Sequence, residues 1–134
     1  MIAASLVAFV ILVLFSAFFS SAEIALTSLN RLRLSKLSES GSKTAKMTEK
    51  IEERDTLALS TILVGNNVVN IVLSSIATSV FLSVFSESMS EAAIGTVSTA
   101  VVTVVLLIFG EIIPKIVGKR LSLPLARAFS YPLW

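Results

Sequence analysis

Residues 57–84 read LALSTILVGNNVVNIVLSSIATSVFLSV. No Asp, Glu, Lys or Arg interrupts them. A helix needs about 20 predominantly apolar residues to cross a bilayer, so this stretch reads as a membrane span. On either side the pattern repeats. Residues 2–29 carry no Lys or Arg and a single acid, Glu23, and residues 92–113 carry only Glu111. Lipid cannot satisfy exposed backbone groups, so all three spans are expected to be helices. Composition agrees: 54% of the 134 residues are hydrophobic and 15% are charged, whereas a soluble domain is about 25% charged. The chain is expected to form an all-α membrane protein, one domain over residues 1–134.

The remaining segments set topology. All eleven Lys and Arg fall in residues 31–54 and 115–127, and the 86–91 loop, SESMSE, has none. The positive-inside rule therefore places the N-terminus outside and the C-terminus in the cytoplasm. The N-terminal run lacks a basic leader and is longer than a signal-peptide core, so it reads as a retained span. Leu29, Leu32 and Leu37 among basic residues suggest a short interfacial helix. Gly41 breaks it, and a second helix is expected over 43–54. Pro114 is expected to end or kink the third span. Residues 115–130 then mix Leu, Ile and Val with four cations, as a helix lying along the cytoplasmic surface would. The chain ends at Tyr131-Pro132-Leu133-Trp134 without a polar tail, which reads as a cut rather than a natural terminus.

The spans are not uniformly apolar. Ser16, Ser20, Ser21 and Glu23 lie in the first, Gly65, Asn66, Asn67 and Asn70 in the second, and Gly110 and Glu111 in the third. Ser16 and Ser20 share a helix face, as do Asn66 and Asn70. At 1.5 Å per residue from boundaries near Thr27, Thr56 and Lys119, Ser16 and Ser20 sit roughly 10–17 Å deep, Asn66 and Asn70 roughly 15–21 Å and Glu111 roughly 12 Å. Converging faces would make a pocket of hydroxyls, amide carbonyls and one carboxylate. Polar groups in a membrane point to function by default. With no Cys and no His in the chain, soft metals lack ligands, and an oxygen pocket suits a hard cation such as Mg²⁺. Pro114, lacking an N–H, leaves the Gly110 carbonyl without its helical partner, free to coordinate as in broken transporter helices.

Plainer readings compete. Serines are common at helix contacts, and each Asn can serve as an interhelical donor. Glu111 can pair with Lys115 four residues on, and Glu23 with Arg31 or Arg33. No enzymatic constellation is present: the serines lack a base, no phosphate-binding loop occurs, and Glu52 and Glu53 sit in a charged loop. The basic residues follow from topology, so no nucleic-acid partner is expected.

Three motifs together resemble one family. Phe15-Ser16-Ala17-Phe18-Phe19-Ser20-Ser21-Ala22-Glu23-Ile24-Ala25-Leu26 is similar to the first helix of the CorC/CNNM (cyclin M-like) magnesium transporter membrane domain. Leu63-Val64-Gly65-Asn66-Asn67-Val68-Val69-Asn70-Ile71 resembles its second-helix motif and Phe109-Gly110-Glu111-Ile112-Ile113-Pro114-Lys115 its third. The resemblance covers nearly the whole chain. It implies three transmembrane helices, a pair of short cytoplasmic helices and a juxtamembrane belt helix. It also implies a homodimer in membrane lipid that exports Mg²⁺, with Na⁺ as coupling ion and Co²⁺ as a further substrate. Matching motifs carry over Ser16, Ser20, Asn70, Gly110 (through its carbonyl) and Glu111 as the Mg²⁺ site, with Asn66 and Asn67 as neighbours and Glu23 as a further candidate. Family members usually continue into a nucleotide-binding CBS module, which is absent from this sequence. The alternative in another class is a membrane anchor and dimerisation unit that senses Mg²⁺ for cytoplasmic domains.

Overall fold

The computed structural model describes residues 2–133; the expectation for Trp134 lies outside them. The elements are α1 (Ile2–Thr27), α2 (Arg31–Glu39), α3 (Lys43–Glu52), α4 (Asp55–Phe85), α5 (Glu91–Val105), a π-helical segment (Leu106–Ile112), α6 (Ile113–Arg120) and α7 (Ser122–Leu133). No strand occurs among the described residues. Three helices are long and apolar enough to cross a membrane: Ile2–Thr27, Thr56–Phe85 and the continuous Glu91–Arg120. Only 6%, 11% and 17% of their most apolar windows are buried within the chain. Side chains such as Leu14, Val64, Ile71 and Val104 are more than half exposed, an apolar surface that needs lipid to cover it.

Helix α1 is the hub and packs against α4, the π segment, α6 and α7. Its buried residues are Ser16, Ser20, Ser21, Ala22 and Ala25. Small residues let neighbouring backbones approach closely, which is the main source of helix association where no water is present. Toward the acidic end the contact turns apolar, with Leu73, Ala77 and Val102 closing on Phe9, Leu12, Val13 and Leu106.

Two short helices occupy the basic loop. Asn30 caps α2 by accepting from the Arg33 N–H at 3.1 Å. Ser42 caps α3 by accepting from Ala45 N–H. Gly41 separates them at φ +93°, a left-handed conformation that glycine adopts without a Cβ clash. The inward face of α2 is Leu34 and Ser38, whereas Leu32, expected on the apolar face, is 78% exposed.

Pro114 does not end the third span. The helix passes through it, and the Ile113 N–H reaches back five residues to the Ile108 carbonyl. A five-residue hydrogen-bond step widens the turn just ahead of the proline, which relieves the ring's clash with the preceding turn and accommodates the missing donor. The helix breaks instead at Leu121 (φ −112°, ψ 35°). The juxtamembrane helix therefore starts at Ser122 rather than 115. It also packs against the rest of the chain. Ala126 and Ser130 are buried, the hydroxyls of Thr48 and Ser130 meet, and Phe129 meets Phe18 of α1 edge to face at 4.7 Å. Arg127 donates to Thr44 Oγ1 at 3.0 Å and Ser42 Oγ at 3.1 Å, clasping α7 to the start of α3.

Candidate functional site: a polar junction of three spans

Ser16 sits where α1, α4 and the π segment meet, and is fully buried. Its Oγ lies 3.1 Å from Asn66 Oδ1 and 3.0 Å from Asn70 Oδ1. The four-residue spacing of Asn66 and Asn70 puts both amides on one face of α4, and that face is the one turned to α1. A hydroxyl carries one proton, so it cannot serve both amide oxygens at once. Rotating one amide satisfies both contacts, the hydroxyl donating to one amide oxygen and accepting from the other amide's N–H; a cation would instead be met by all three oxygens.

The third span arrives through Gly110. A Cβ built on it would stand 2.9 Å from Ser16 Oγ and 3.2 Å from a Leu106 methyl. Glycine is thus required for this backbone to reach the Ser16 hydroxyl. One turn along α1, Ser20 is fully buried and its Oγ has no hydrogen-bond partner among the described residues. A buried hydroxyl left unpaired costs about 1–3 kcal/mol, so its retention within the same small-residue seam is notable chemically: it is a free oxygen ligand.

Glu111 is half-buried next to Gly110. Among the described residues it makes no hydrogen bond or ion pair. Neither simple pairing drawn from spacing forms. Lys115 Nζ lies 3.5 Å from Glu23 Oε2, and Arg31 pairs with Glu52 across the α2–α3 hairpin. The physical reason is the chain's break after Thr27. Asn30 starts a new helix and carries Arg31 toward α3, while α6 brings Lys115 beside Glu23. Asn67 is exposed, away from Ser16, on an open groove lined by Asn67, Asn70, Ile71, Ser74 and Ser75. Asn70 belongs to both the groove and the junction.

Two contacts that spacing did not suggest hold α6 in place. Ser21 Oγ donates to the Pro114 carbonyl at 3.2 Å in a buried contact. Gly118 lies so close to α1 that an added Cβ would meet Ile24 Cγ2 at 2.2 Å and the Ser21 carbonyl oxygen at 2.7 Å. Gly110, Pro114 and Gly118, four apart and all buried, form the seam that faces α1. The four-residue rhythm of small residues was the only sequence signal for it.

The described residues contain no group of three or more His, Cys, Asp or Glu placed to hold a metal. A cation here would rest on one carboxylate and neutral oxygens. The Ser16→Ala variant is expected to lose about 1–3 kcal/mol of stability, because the amide oxygen that its hydroxyl serves loses its donor; thermal unfolding in detergent against wild type checks this.

The chain matches the family described as cyclin M transmembrane N-terminal domain over residues 7–134. It is 40% identical over 108 residues to a UPF0053 protein of Haemophilus influenzae, covering 81% of this chain and 24% of that protein. It is 34% identical over 102 residues to the UPF0053 inner membrane protein YfjD of Escherichia coli K12, covering 76% of this chain and 23% of that one. A UPF0053 protein of Synechocystis is 32% identical over 123 residues, 92% of this chain and 34% of that protein. The chain thus spans a quarter to a third of the length of these curated relatives. The matched region contains most of the first span, the other two spans, the Ser16 junction and the α1–α6 seam, and on that basis the chain belongs to the CorC/CNNM family of membrane proteins, as its cyclin M transmembrane domain.

Proposed function

We propose that this domain binds Mg²⁺ at the Ser16 junction and moves it across the membrane. The observation that carries the reading is the meeting of Ser16 Oγ with the Asn66 and Asn70 carbonyl oxygens beside Gly110, with Glu111 unpaired one residue on. Mg²⁺ demands oxygen ligands in near-octahedral geometry and dehydrates reluctantly. Several protein oxygens must therefore replace its water. Glu111 supplies the charge, and Ser16, Ser20, Asn70 and the Gly110 carbonyl supply neutral ligands. Asn66, as close to Ser16 as Asn70 is, joins them in place of the exposed Asn67. Glu23, in loose contact with Lys115, is left out of the proposed shell. Alternating access comes from helices rocking about this point. The family resemblance supplies the finer terms of the reading: export of Mg²⁺, coupling to Na⁺, a homodimer, and a CBS module in the full-length protein.

The test is Mg²⁺ flux in proteoliposomes loaded with a Mg²⁺-sensitive dye, with and without a Na⁺ gradient, for the full-length protein and its Glu111→Ala variant. Flux in wild type that vanishes in the variant supports a transporter with its site at the junction. No flux in wild type, with Mg²⁺ still protecting it from thermal unfolding, would favour the anchor that senses Mg²⁺.

Orientation belongs to the same reading, with the basic loop in the cytoplasm. The chain has no cysteine, so single cysteines report without background. Ser88→Cys is expected to react with an impermeant maleimide applied to intact cells, and Ser40→Cys only after permeabilisation. The reverse pattern would invert the topology.

A further inference from the structure

Lys115 is one turn from Glu111 and in contact with Glu23, so a single ammonium has two carboxylates to choose between. The contact to Glu23 is long, 3.5 Å, and both side chains are about two-fifths exposed (42% and 43%). Such a pair contributes only about 0–1 kcal/mol, and little holds Lys115 there. Glu111 stands four residues before Lys115, with both half-buried on the flank of the Gly110–Pro114–Gly118 seam. Glu ahead of Lys at this spacing is the favoured order for a helical ion pair. The lysine stem is flexible and carries a compact charge. The seam itself is fixed, because Ser21 bonds the Pro114 carbonyl and Gly118 lies against α1. Only the side chain has to move.

A bare carboxylate within a membrane span is costly, and Glu111 has no other partner among the described residues. A transported cation cannot remain on it. Something must neutralise Glu111 when the cation departs, and the ammonium one turn away is the nearest fixed positive charge along that helix.

We propose that Lys115 is the tethered counter-charge of the cation site: it rests on Glu23 while a divalent cation occupies Glu111, and moves to Glu111 as the cation leaves. Glu23 is then a parking position that keeps Lys115 from competing, and its charge sets how readily the site fills. Lys115 acts on the cation through Glu111 and is a positioning residue. The arrangement in the structure, Lys115 on Glu23, is the one that leaves Glu111 open to a cation. The inference rests on the reading of Glu111 as the Mg²⁺ carboxylate.

The experiment is calorimetric Mg²⁺ titration of the full-length protein in detergent, for wild type, Glu111→Ala, Lys115→Met, Glu23→Gln and the Glu23→Gln/Lys115→Met pair, each first checked for an intact thermal transition. Removing the competitor in Lys115→Met tightens Mg²⁺ binding by about fivefold or more, and freeing it in Glu23→Gln weakens binding by about as much, a coupling of the size usual between linked sites. The double variant decides the mechanism. If Lys115 competes, Glu23 has nothing to park once the lysine is gone, and the double variant binds like Lys115→Met. If both residues act only as distant charges, their opposite effects cancel and the double variant binds like wild type, which overturns the proposal. If the pair is merely structural, both single variants weaken binding together, which also overturns it. Unchanged binding in Glu111→Ala removes the site reading itself, and this proposal with it, by a result separate from the other arms.

Discussion

Mg²⁺ binding is expected to vanish in Glu111→Ala while the fold persists. Glu111 is the only ionisable residue in the expected third span, 92–113, and nothing in the described chain pairs with it. Its removal therefore breaks no hydrogen bond or ion pair among the described residues. What it removes is the formal negative charge one residue from Gly110, whose turn meets a cluster of hydroxyls and amides. A dication stripped of water needs charge as well as dipoles, because neutral oxygens alone replace its hydration shell poorly. Calorimetric titration should give no measurable heat of Mg²⁺ binding in the variant, and the unfolding midpoint without Mg²⁺ should match wild type. A Glu111→Ala protein that still binds Mg²⁺ at wild-type strength places the cation elsewhere. A variant that fails to fold gives Glu111 a structural duty that its lack of partners does not suggest, and Glu111→Gln then separates charge from shape.

Gly118→Ala should be the most damaging small substitution in the chain. The added methyl meets Ile24 Cγ2 at 2.2 Å and the Ser21 carbonyl oxygen at 2.7 Å. The Ile24 Cγ2 methyl branches from Cβ and is held by the one χ1 rotamer that a helix favours, and the Ser21 backbone oxygen cannot yield without shifting α1. Overpacking of this kind costs about 1–3 kcal/mol. The consequence spreads beyond stability, since the same approach aligns Ser21 with the Pro114 carbonyl and Glu23 with Lys115. Gly95 is the internal control. Nothing lies within 4 Å of a Cβ built there, so Gly95→Ala should be neutral or stabilising by up to about 1 kcal/mol through helix propensity. Thermal unfolding of both variants in the same detergent makes the comparison. Equal midpoints would mean that α1 and α6 are not packed as the structure has them.

Several features were legible in the residues because they are local. The length of an uncharged run, such as 57–84, decides that a helix crosses lipid, whatever it packs against. Helical periodicity likewise put Asn66 and Asn70 on one face, and left-handed Gly41 had to separate two short helices. The π segment was less accessible. Pro114 announced a disturbance, but whether a helix kinks, stops or widens depends on what packs beside it, and here the helix continues through Pro114 with its seam held to α1 at Ser21 and Gly118.

Which residues meet was decided by the tertiary structure. Spacing offered Lys115 to Glu111 and Arg31 to Glu23, yet the chain pairs Lys115 with Glu23 and Arg31 with Glu52. Asn67 and Asn70 differ by three positions on one helix, but only Asn70 reaches Ser16. Side-chain direction along a single helix follows from its own geometry. The rotation of one helix against another follows from small residues on both, at Ser16, Ser21, Gly110 and Gly118, far apart in the chain. The sequence by itself determined three spans and their polar faces. Only close packing at those small residues decided that the faces converge on Ser16, that Ser20 is left with a free buried oxygen, and that Glu111, next to Gly110, has no partner among the described residues.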